Sequence, residues 1–320
     1  GNVGLGSGAF GTGLTTGTNN VAIGENSGDA LTTGADNTFV GDNAGGATTT
    51  GTNNVAVGSA ALDGNTTASD NVAIGINALG ASNTSANNVA IGSGAMDANT
   101  SGSGVAVGKD ALGANTTGGS NTAVGYAALT ANTTASNNTA VGTSALASNT
   151  TGTENIALGG AAGDAITEGN YNIAIGYNAL TSDTLGSRSV AVGRHALETQ
   201  NFTTATSVYN IGIGYNAGRL TTTGTGNTFI GGLAGAANTT ASDNTAVGYN
   251  ALITVTTNAN NTAIGTSALK LNTGVSNTAA GRGALLNNSS GGYNVAVGHN
   301  ALNDNTTASN NNAVGYDALA

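Results

Sequence analysis

The sequence of 320 residues contains no cysteine, no proline and no tryptophan, and only 7% of its residues are charged. The lack of cysteine excludes disulfide bonds and thiolate chemistry, and it fits a surface-exposed fibre as well as a cytosolic protein. Six Lys and Arg against 16 Asp and Glu give a formal net charge of −10. Because no basic stripe is present to neutralise phosphates, we expect no binding to nucleic acid.

The sequence also has no long apolar run. A membrane-spanning helix needs about 20 consecutive apolar residues, and no signal peptide is recognisable, so we expect no membrane insertion by this segment. Disorder is disfavoured, because 38% of the residues are hydrophobic and they keep a fixed spacing throughout the chain. The 53 glycines, with many Asn and Thr, favour short strands and tight corners over helices.

What the sequence does contain is a repeated phrase, Asn-x-Ala-Val/Ile-Gly, seen at 121–125 and again at 138–142. Its glycine, the marker glycine, recurs in nearly every case after 17 residues; the exceptions are one step of 18, two of 16 and one of 21, from Gly193 to Gly214. A short fixed period is typical of stacked repeats, in which each unit contacts only its neighbours. We therefore predict one all-β domain over residues 1–320, a parallel β-solenoid of about 19 coils.

The marker glycines are Gly6, Gly24, Gly41, Gly58, Gly75, Gly92, Gly108, Gly125, Gly142, Gly159, Gly176, Gly193, Gly214, Gly231, Gly248, Gly265, Gly281, Gly298 and Gly315. Positions of the repeat are numbered from its Asn, so that Asn121 is position one and the residue before the next such Asn is position seventeen. Asn121 and its equivalents are expected to form a ladder of side-chain hydrogen bonds between coils, which is a structural role.

The pattern within one repeat predicts which side chains face inwards. β-Branched residues at positions two and four share one face of a strand, as Val124 does, whereas Ala123 at position three lies on the other face. Gly125 ends the strand at a corner. Ala128 and Leu129 at positions eight and nine follow, and we place positions three and nine in a common interior. Positions two and four then point outwards, and an exposed Val/Ile ridge indicates contact with another chain.

Five repeats carry Gly where Leu belongs at position nine, and each has a large apolar residue elsewhere. The pairs are Gly45 with Phe39, Gly235 with Phe229, Gly28 with Leu31, Gly163 with Ile166, and Gly218 with Leu220. Close-packed interiors do not tolerate empty volume, so these exchanges predict that the paired residues share one core.

The phrase Asn-x-Ala-Val/Ile-Gly, followed by a second Ala and repeated down the whole chain, resembles the YadA-like head repeat of trimeric autotransporter adhesins and similar repeats in bacteriophage tail fibres. The resemblance implies a left-handed parallel β-roll in a homotrimer. It also implies a role in attachment to a host receptor or cell-surface glycan, outside the cell on a bacterial surface or a virion. The repeat is longer than the usual head repeat, and no coiled-coil stalk or anchor is recognisable. No polar cap is evident at either end, so we expect a segment of a longer fibre, or an end-to-end filament.

Residues for catalysis are scarce, and we expect neither an enzyme nor a bound cofactor. His195 and His299 lie about a hundred residues apart, and we interpret them as solvated side chains rather than a metal pair. Asp164 and Glu168 lack the partners that an acid/base site needs. No phosphate-binding loop or Ser-His-Asp pattern is present.

The candidate binding residues lie on the predicted outer surface. They are Tyr126, Tyr177, Tyr215, Tyr249 and Tyr316 at position six, with Asn201 and Phe202 in a predicted loop over 201–207. Exposed Tyr can stack on sugars, although it can equally cover the edge of a core. The loop comes from the 21-residue step, and loops on rigid scaffolds often carry binding specificity. A monomeric ice-binding solenoid with a Thr array, or a monomeric glycan-binding one, is the alternative to the fibre.

Overall fold

The computed structural model describes residues 1–81 and 84–320, and none of these residues is helical. The chain divides into two compact units, Gly1–Asn155 and Ile156–Ala320. Each unit is a parallel β-solenoid built on the 17-residue repeat, which confirms the predicted fold class. That residues 1–320 form a single domain stays a prediction.

The first unit has one short strand per repeat, at the repeated phrase. The strands are β1 Val3–Leu5, β2 Val21–Ile23, β3 Thr38–Val40, β4 Val55–Val57, β5 Val72–Ile74, β6 Val89–Ile91, β7 Gly104–Val107, β8 Asn121–Val124 and β9 Thr139–Val141. They pair in parallel in chain order, each with the strand of the next repeat.

The second unit follows the same plan and adds one short strand pair. Its strands are β10 Ile156–Leu158, β11 Ile173–Ile175, β12 Gly186–Ser187, β13 Val190–Val192, β14 Thr206–Ser207, β15 Ile211–Ile213, β16 Thr228–Ile230, β17 Thr245–Val247, β18 Thr262–Ile264, β19 Thr278–Ala280, β20 Val295–Val297 and β21 Asn312–Val314. Strands β12 and β14 pair only with each other. The others form a parallel ladder in chain order.

The register places each position of the repeat over the same position of the next. Ala123 in β8 pairs with Ala140 in β9. Across the 21-residue step, Ala191 in β13 still pairs with Gly212 in β15, so the four extra residues are accommodated outside this ladder. This in-register stacking is what the constant spacing of the marker glycines predicted.

The marker glycine is required by both conformation and space. Gly125 has φ of 142°, a value that residues with a side chain rarely adopt. A Cβ atom at Gly125 would collide with the carbonyl group of Gly142 in the next coil. The corner that ends each strand therefore packs backbone directly against backbone.

The interior contains the residues that the pattern predicted. Ala123, Ala128 and Leu129 are fully buried. Leu129 has φ of 52°, in the left-handed region, which costs an L-residue about 1 to 2 kcal/mol. The sequence alone did not reveal this conformation, and it gives a second reason why glycine is accepted at position nine.

The predicted burial of the paired residues is confirmed for four of the five and is wrong for Leu220. At Gly28 the space of a side chain is taken by the Phe39 ring of the next coil rather than by Leu31, since a Cβ there would approach a Phe39 ring carbon to 2.9 Å. Phe39 and Phe229 are fully buried, and Leu31 and Ile166 are buried at position twelve. Leu220, in contrast, is 43% exposed and fills nothing in the core. Its expected role is taken by the Phe229 ring, which lies against the Cα of Gly218 so closely that a Cβ there would approach a ring carbon to 2.6 Å.

Two ladders of buried Asn side chains connect successive coils. Asn37 Oδ1 accepts a hydrogen bond from the backbone N–H of Asn54 at 3.0 Å, and Asn37 Nδ2 donates to Asn20 Oδ1 at 3.1 Å. This confirms the predicted ladder at position one. A second ladder at position twelve was not predicted: Asn132 Nδ2 donates to Asn115 Oδ1 at 2.8 Å. The bonds of both ladders pair amide groups that would be costly to bury unpaired, although Asn149 Oδ1 and Asn238 Oδ1 at position twelve have no hydrogen-bond partner.

Candidate ligand-binding surface

The outer face of the strands carries an apolar ridge. It consists, in each unit, of the position-four residues, here called the outer ridge: Leu5, Ile23, Val40, Val57, Ile74, Ile91, Val107, Val124 and Val141 in the first unit, and Leu158, Ile175, Val192, Ile213, Ile230, Val247, Ile264, Ala280, Val297 and Val314 in the second. Ile23 is 38% exposed and Ile74 is 37% exposed, although each has strand neighbours in the ladder. The outward direction of positions two and four is confirmed by this exposure. A row of exposed β-branched side chains is a candidate contact surface.

The position-six tyrosines project from the corner after each strand. All five predicted tyrosines are more than half exposed, which confirms that position six faces solvent: Tyr126, Tyr177, Tyr215, Tyr249 and Tyr316. Several of them lie beside a cationic or imidazole side chain from a neighbouring coil. Lys109 Nζ is 5.7 Å from the Tyr126 ring centroid, and the His299 and Tyr316 rings stack with centroids 5.1 Å apart.

Two of these tyrosines share one arginine. The Arg194 guanidinium carbon is 5.9 Å from the ring centroids of both Tyr177 and Tyr215, one coil to either side. Such distances are typical of cation–π interactions. Tyr177, Arg194 and Tyr215 are called the position-six row below.

His195 is not the solvated side chain that the sequence predicted. Its side chain is only 14% exposed, and Nδ1 lies 2.8 Å from Glu198 Oε1. Glu198 Oε2 accepts a hydrogen bond from Arg219 Nε at 2.7 Å. Burial tends to raise the pKa of Glu198, but the Arg219 hydrogen bond and the nearby His195 outweigh it and lower that pKa below its ordinary value. Glu198 therefore links His195 in its own coil to Arg219 in the next coil.

His299 lies at the same kind of corner. Its Nε2 is 3.1 Å from an Arg282 guanidinium nitrogen, and its Nδ1 is 3.8 Å from Asp317 Oδ1. With its side chain 34% exposed and its ring stacked on Tyr316, His299 is partly covered. The structure does not bring His299 together with His195, so they form no pair.

The predicted loop over 201–207 is partly a strand and partly core. Asn201 is exposed, as predicted, but Phe202 is only 7% exposed, so the prediction of Phe202 as a surface-binding residue is wrong. The backbone N–H of Phe202 donates a hydrogen bond to Asp183 Oδ1 at 3.0 Å, which fixes the chain at this point. Thr206 and Ser207 form β14, and residues 203–205 between Phe202 and this strand are exposed.

A buried carboxylate supports this insertion. Asp183 stands at position twelve, where most coils have Asn, and burial raises its pKa, although hydrogen bonds from the Phe202 N–H and the Gln200 side chain oppose the rise. Gln200 Nε2 donates to Asp183 Oδ2 at 2.6 Å and to Ser189 Oγ at 2.8 Å. Gln200, at position twelve, is one methylene longer than the usual Asn, whereas Ser189, at position one, is shorter than the usual Asn. The longer side chain compensates for the shorter one, so the two side chains remain in contact. These coupled departures were visible in the sequence, but their proximity was not.

A second aromatic row, which the sequence analysis missed, occupies position seventeen. The Arg188 guanidinium carbon is 5.2 Å from the Tyr171 ring centroid and 5.9 Å from that of Tyr209. Arg188 Nη1 also donates a hydrogen bond to Ser207 Oγ at 2.7 Å. The available signal was Tyr, Arg and Tyr at a position that is otherwise mostly Asn or Asp. Tyr171, Arg188 and Tyr209 are called the position-seventeen row.

The two rows stand at opposite ends of the same three strands, β11, β13 and β15, because position seventeen precedes each strand and position six follows it. Among the described residues, neither Arg188 nor Arg194 has a carboxylate within 4.0 Å, whereas Arg219 and Lys109 are paired with acidic residues. The three coils therefore present two unpaired guanidinium groups, each between two tyrosine rings, on a chain whose net charge is −10.

Within residues 1–81 and 84–320, no helix is long and apolar enough to cross a membrane. The same residues hold no group of three His, Asp or Glu side chains placed to bind a metal ion. The chain matches no family model, and no curated protein is significantly similar to it.

Proposed function

We propose that this chain is a structural protein of a fibre, without catalytic activity, that associates with copies of itself through the outer ridge and serves in attachment. The observation that carries the proposal is the exposure of the ridge: Ile23, Ile74 and Ile264 expose 38%, 37% and 46% of their surface. A soluble protein rarely leaves so regular an apolar row open to water.

The energetic argument follows from repetition. Burying apolar surface contributes about 25 cal/mol per Å². One Val or Ile adds little alone, but the same contact recurs in every coil, and the in-register ladder keeps the side chains in line. A second copy with the same repeat offers the matching surface.

The number of chains and the location rest on the resemblance of the repeat to the YadA-like head repeat. We propose three chains around one axis, outside the cell, on a bacterial surface or a virion. The regularity of the repeat supports a function without catalysis, because a residue present in almost every coil serves the scaffold.

The test is the mass of the protein in solution. Sedimentation velocity or light scattering of the wild-type chain should give three times the chain mass of 30.4 kDa. The double variant Ile74→Lys and Ile91→Lys places two charges on the ridge in adjacent coils and should shift the mass to that of one chain. Its far-UV circular dichroism should stay unchanged, since both side chains face outwards.

Thr50→Lys with Thr67→Lys is the matched control, because these exposed residues occupy position fourteen in adjacent coils, away from the ridge. It should retain the wild-type mass. A wild-type chain that sediments as one copy at micromolar to millimolar concentration would contradict the proposal, and an open-ended series of masses would favour an end-to-end filament.

A further inference from the structure

Position seventeen is held in the left-handed backbone conformation in almost every coil. Asn and Asp tolerate this conformation better than other residues with a side chain. They occupy the position in Asn19, Asp36, Asn53, Asp70, Asn87, Asn137, Asp243, Asn260 and Asn310. The choice of residue in these coils therefore agrees with the local backbone.

The position-seventeen row departs from this choice in three successive coils, as Ser120, Glu154, Ser276 and Tyr293 do in other coils. Tyr171, Arg188 and Tyr209 have φ of 60°, 64° and 55°. Large side chains are disfavoured in this region, so each of the three residues is a poorer choice for folding than Asn. Leucines at position nine adopt the same conformation in the core, so this departure points to a site only together with the contacts of the three side chains.

The geometry of the row is that of a prepared site. The guanidinium of Arg188 lies between the two rings and is anchored to Ser207 in the strand β14 that the insertion forms. The rings are not buried by this contact, because Tyr171 remains 47% exposed and Tyr209 59% exposed. The side chains are thus positioned by one another while their surfaces stay accessible.

The charge of the row selects the ligand. A guanidinium has five N–H donors in a planar fork that matches a carboxylate, and the hydrogen bond to Ser207 uses one of them. Within the described residues no carboxylate lies in ion-pair distance of Arg188, although Arg219 in the same unit is paired with Glu198. A tyrosine ring offers an apolar face to the C–H groups of a sugar.

We propose that Tyr171, Arg188 and Tyr209 form a binding site for a carboxylate-bearing sugar unit of an acidic polysaccharide. Arg188 binds the carboxylate through paired hydrogen bonds, and the two tyrosine rings contact the sugar faces on either side. This inference rests on the proposed attachment function and gives it a ligand class.

The experiment is calorimetric titration of the full chain with tetragalacturonic acid and, separately, with its fully methyl-esterified form. The two probes share ring and linkage and differ in charge. We expect the acid to bind at least tenfold more tightly than the ester, and binding to weaken as salt is added. Equal binding of both forms, or binding of neither, overturns the proposal.

The variants return the repeat's own residue to the site. Arg188→Asn, Tyr171→Asn and Tyr209→Asn should each weaken binding of the acid at least tenfold while leaving the melting temperature equal or higher, because Asn suits the left-handed backbone. A purely structural row would instead show lowered melting temperatures and unchanged binding, which overturns the proposal.

Tyr293→Asn is the matched control. Tyr293 is a position-seventeen tyrosine with φ of 58° and 62% exposure, and it has no cationic side chain stacked on it among the described residues. This variant should bind as the wild type does. If Arg194→Asn abolishes binding and Arg188→Asn does not, the ligand belongs to the position-six row and the assignment is wrong.

The mass of each sample is measured alongside binding, so that the two proposals fail separately. A trimer that does not bind the acid overturns the ligand site alone. A single chain that binds it overturns the assembly alone.

Discussion

The Phe229 ring occupies the space that a side chain at Gly235 would need. A Cβ atom placed on Gly235 would overlap the ring carbons, and one placed on Gly218 in the preceding coil would approach the ring to 2.6 Å. One phenylalanine at position three therefore replaces the volume of two leucines at position nine.

This relationship predicts a rescue. Phe229→Ala alone should lower the free energy of unfolding by about 3 to 5 kcal/mol, because it leaves a cavity beside two glycines. Adding Gly218→Leu and Gly235→Leu recreates the common Ala and Leu arrangement in the coil of residue 229 and restores Leu at position nine in the preceding coil, where Gly212 holds position three. It should recover most of the loss. Denaturant unfolding of the single and triple variants gives the comparison. A triple variant less stable than Phe229→Ala would show that the three residues do not share one core.

Much of this core could be predicted from the sequence because volume has to be conserved in a packed interior. The pairing of Phe39 with Gly45 could be inferred in this way, as could the burial of Leu31. The role predicted for Leu220 was wrong, because counting residues within one repeat cannot show that the Phe229 ring reaches into the preceding coil. The left-handed conformation of Leu129 was equally hidden, since leucine is not a residue that indicates it.

The candidate surface was only partly predictable. The exposure of Tyr177 and Tyr215 followed from the variability of position six, but their shared Arg194 depends on stacking across coils. The position-seventeen row was missed because a single Tyr or Arg at a corner appears unremarkable until the backbone conformation is known. Phe202 was predicted at the surface because an insertion in the repeat suggests an exposed loop. In the structure its side chain is buried, and its backbone N–H donates a hydrogen bond to Asp183 Oδ1.

The narrow interior predicts opposite outcomes for two nearby substitutions. Ala123→Leu should cost about 1 to 3 kcal/mol of unfolding free energy, because Ala123 is fully buried between its strand neighbours and the added carbons overpack the core. Tyr126→Ser should be nearly neutral, since Tyr126 is 53% exposed. Chemical denaturation of both variants measures the difference, and similar losses would refute the assignment of the two faces.

The Asn ladder should be sensitive to the loss of one amide. Asn37→Ala removes the acceptor for the buried N–H of Asn54 and the donor to the Gly51 carbonyl at 2.9 Å. Leaving buried polar groups unpaired costs about 1 to 3 kcal/mol. Ser59→Ala, at an exposed position six, should change the unfolding free energy by less than about 0.5 kcal/mol. If both variants unfold at the same denaturant concentration, the ladder does not stabilise the stack.

The buried Asp183 predicts a dependence of stability on pH. Burial raises the pKa of Asp183 above its ordinary value of 3.8, so the folded chain holds this proton at a higher pH than the unfolded chain does. The stabilisation that this group contributes is therefore complete below about pH 3.8. It is lost as the pH rises through the raised pKa of the folded state. The loss is limited to about 1.4 kcal/mol for each unit by which the two pKa values differ.

Asp183→Asn removes this titration and keeps the shape of the side chain. The difference in unfolding free energy between wild type and variant should therefore change across pH 3 to 8, with the wild type losing ground as pH rises, because every other ionisable group is common to both chains. Asp243→Asn, at an exposed position, removes the same formal charge and controls for net charge. If the difference in unfolding free energy between wild type and Asp183→Asn does not change with pH over this range, the hydrogen bonds from Phe202 and Gln200 compensate fully for the burial of the carboxylate.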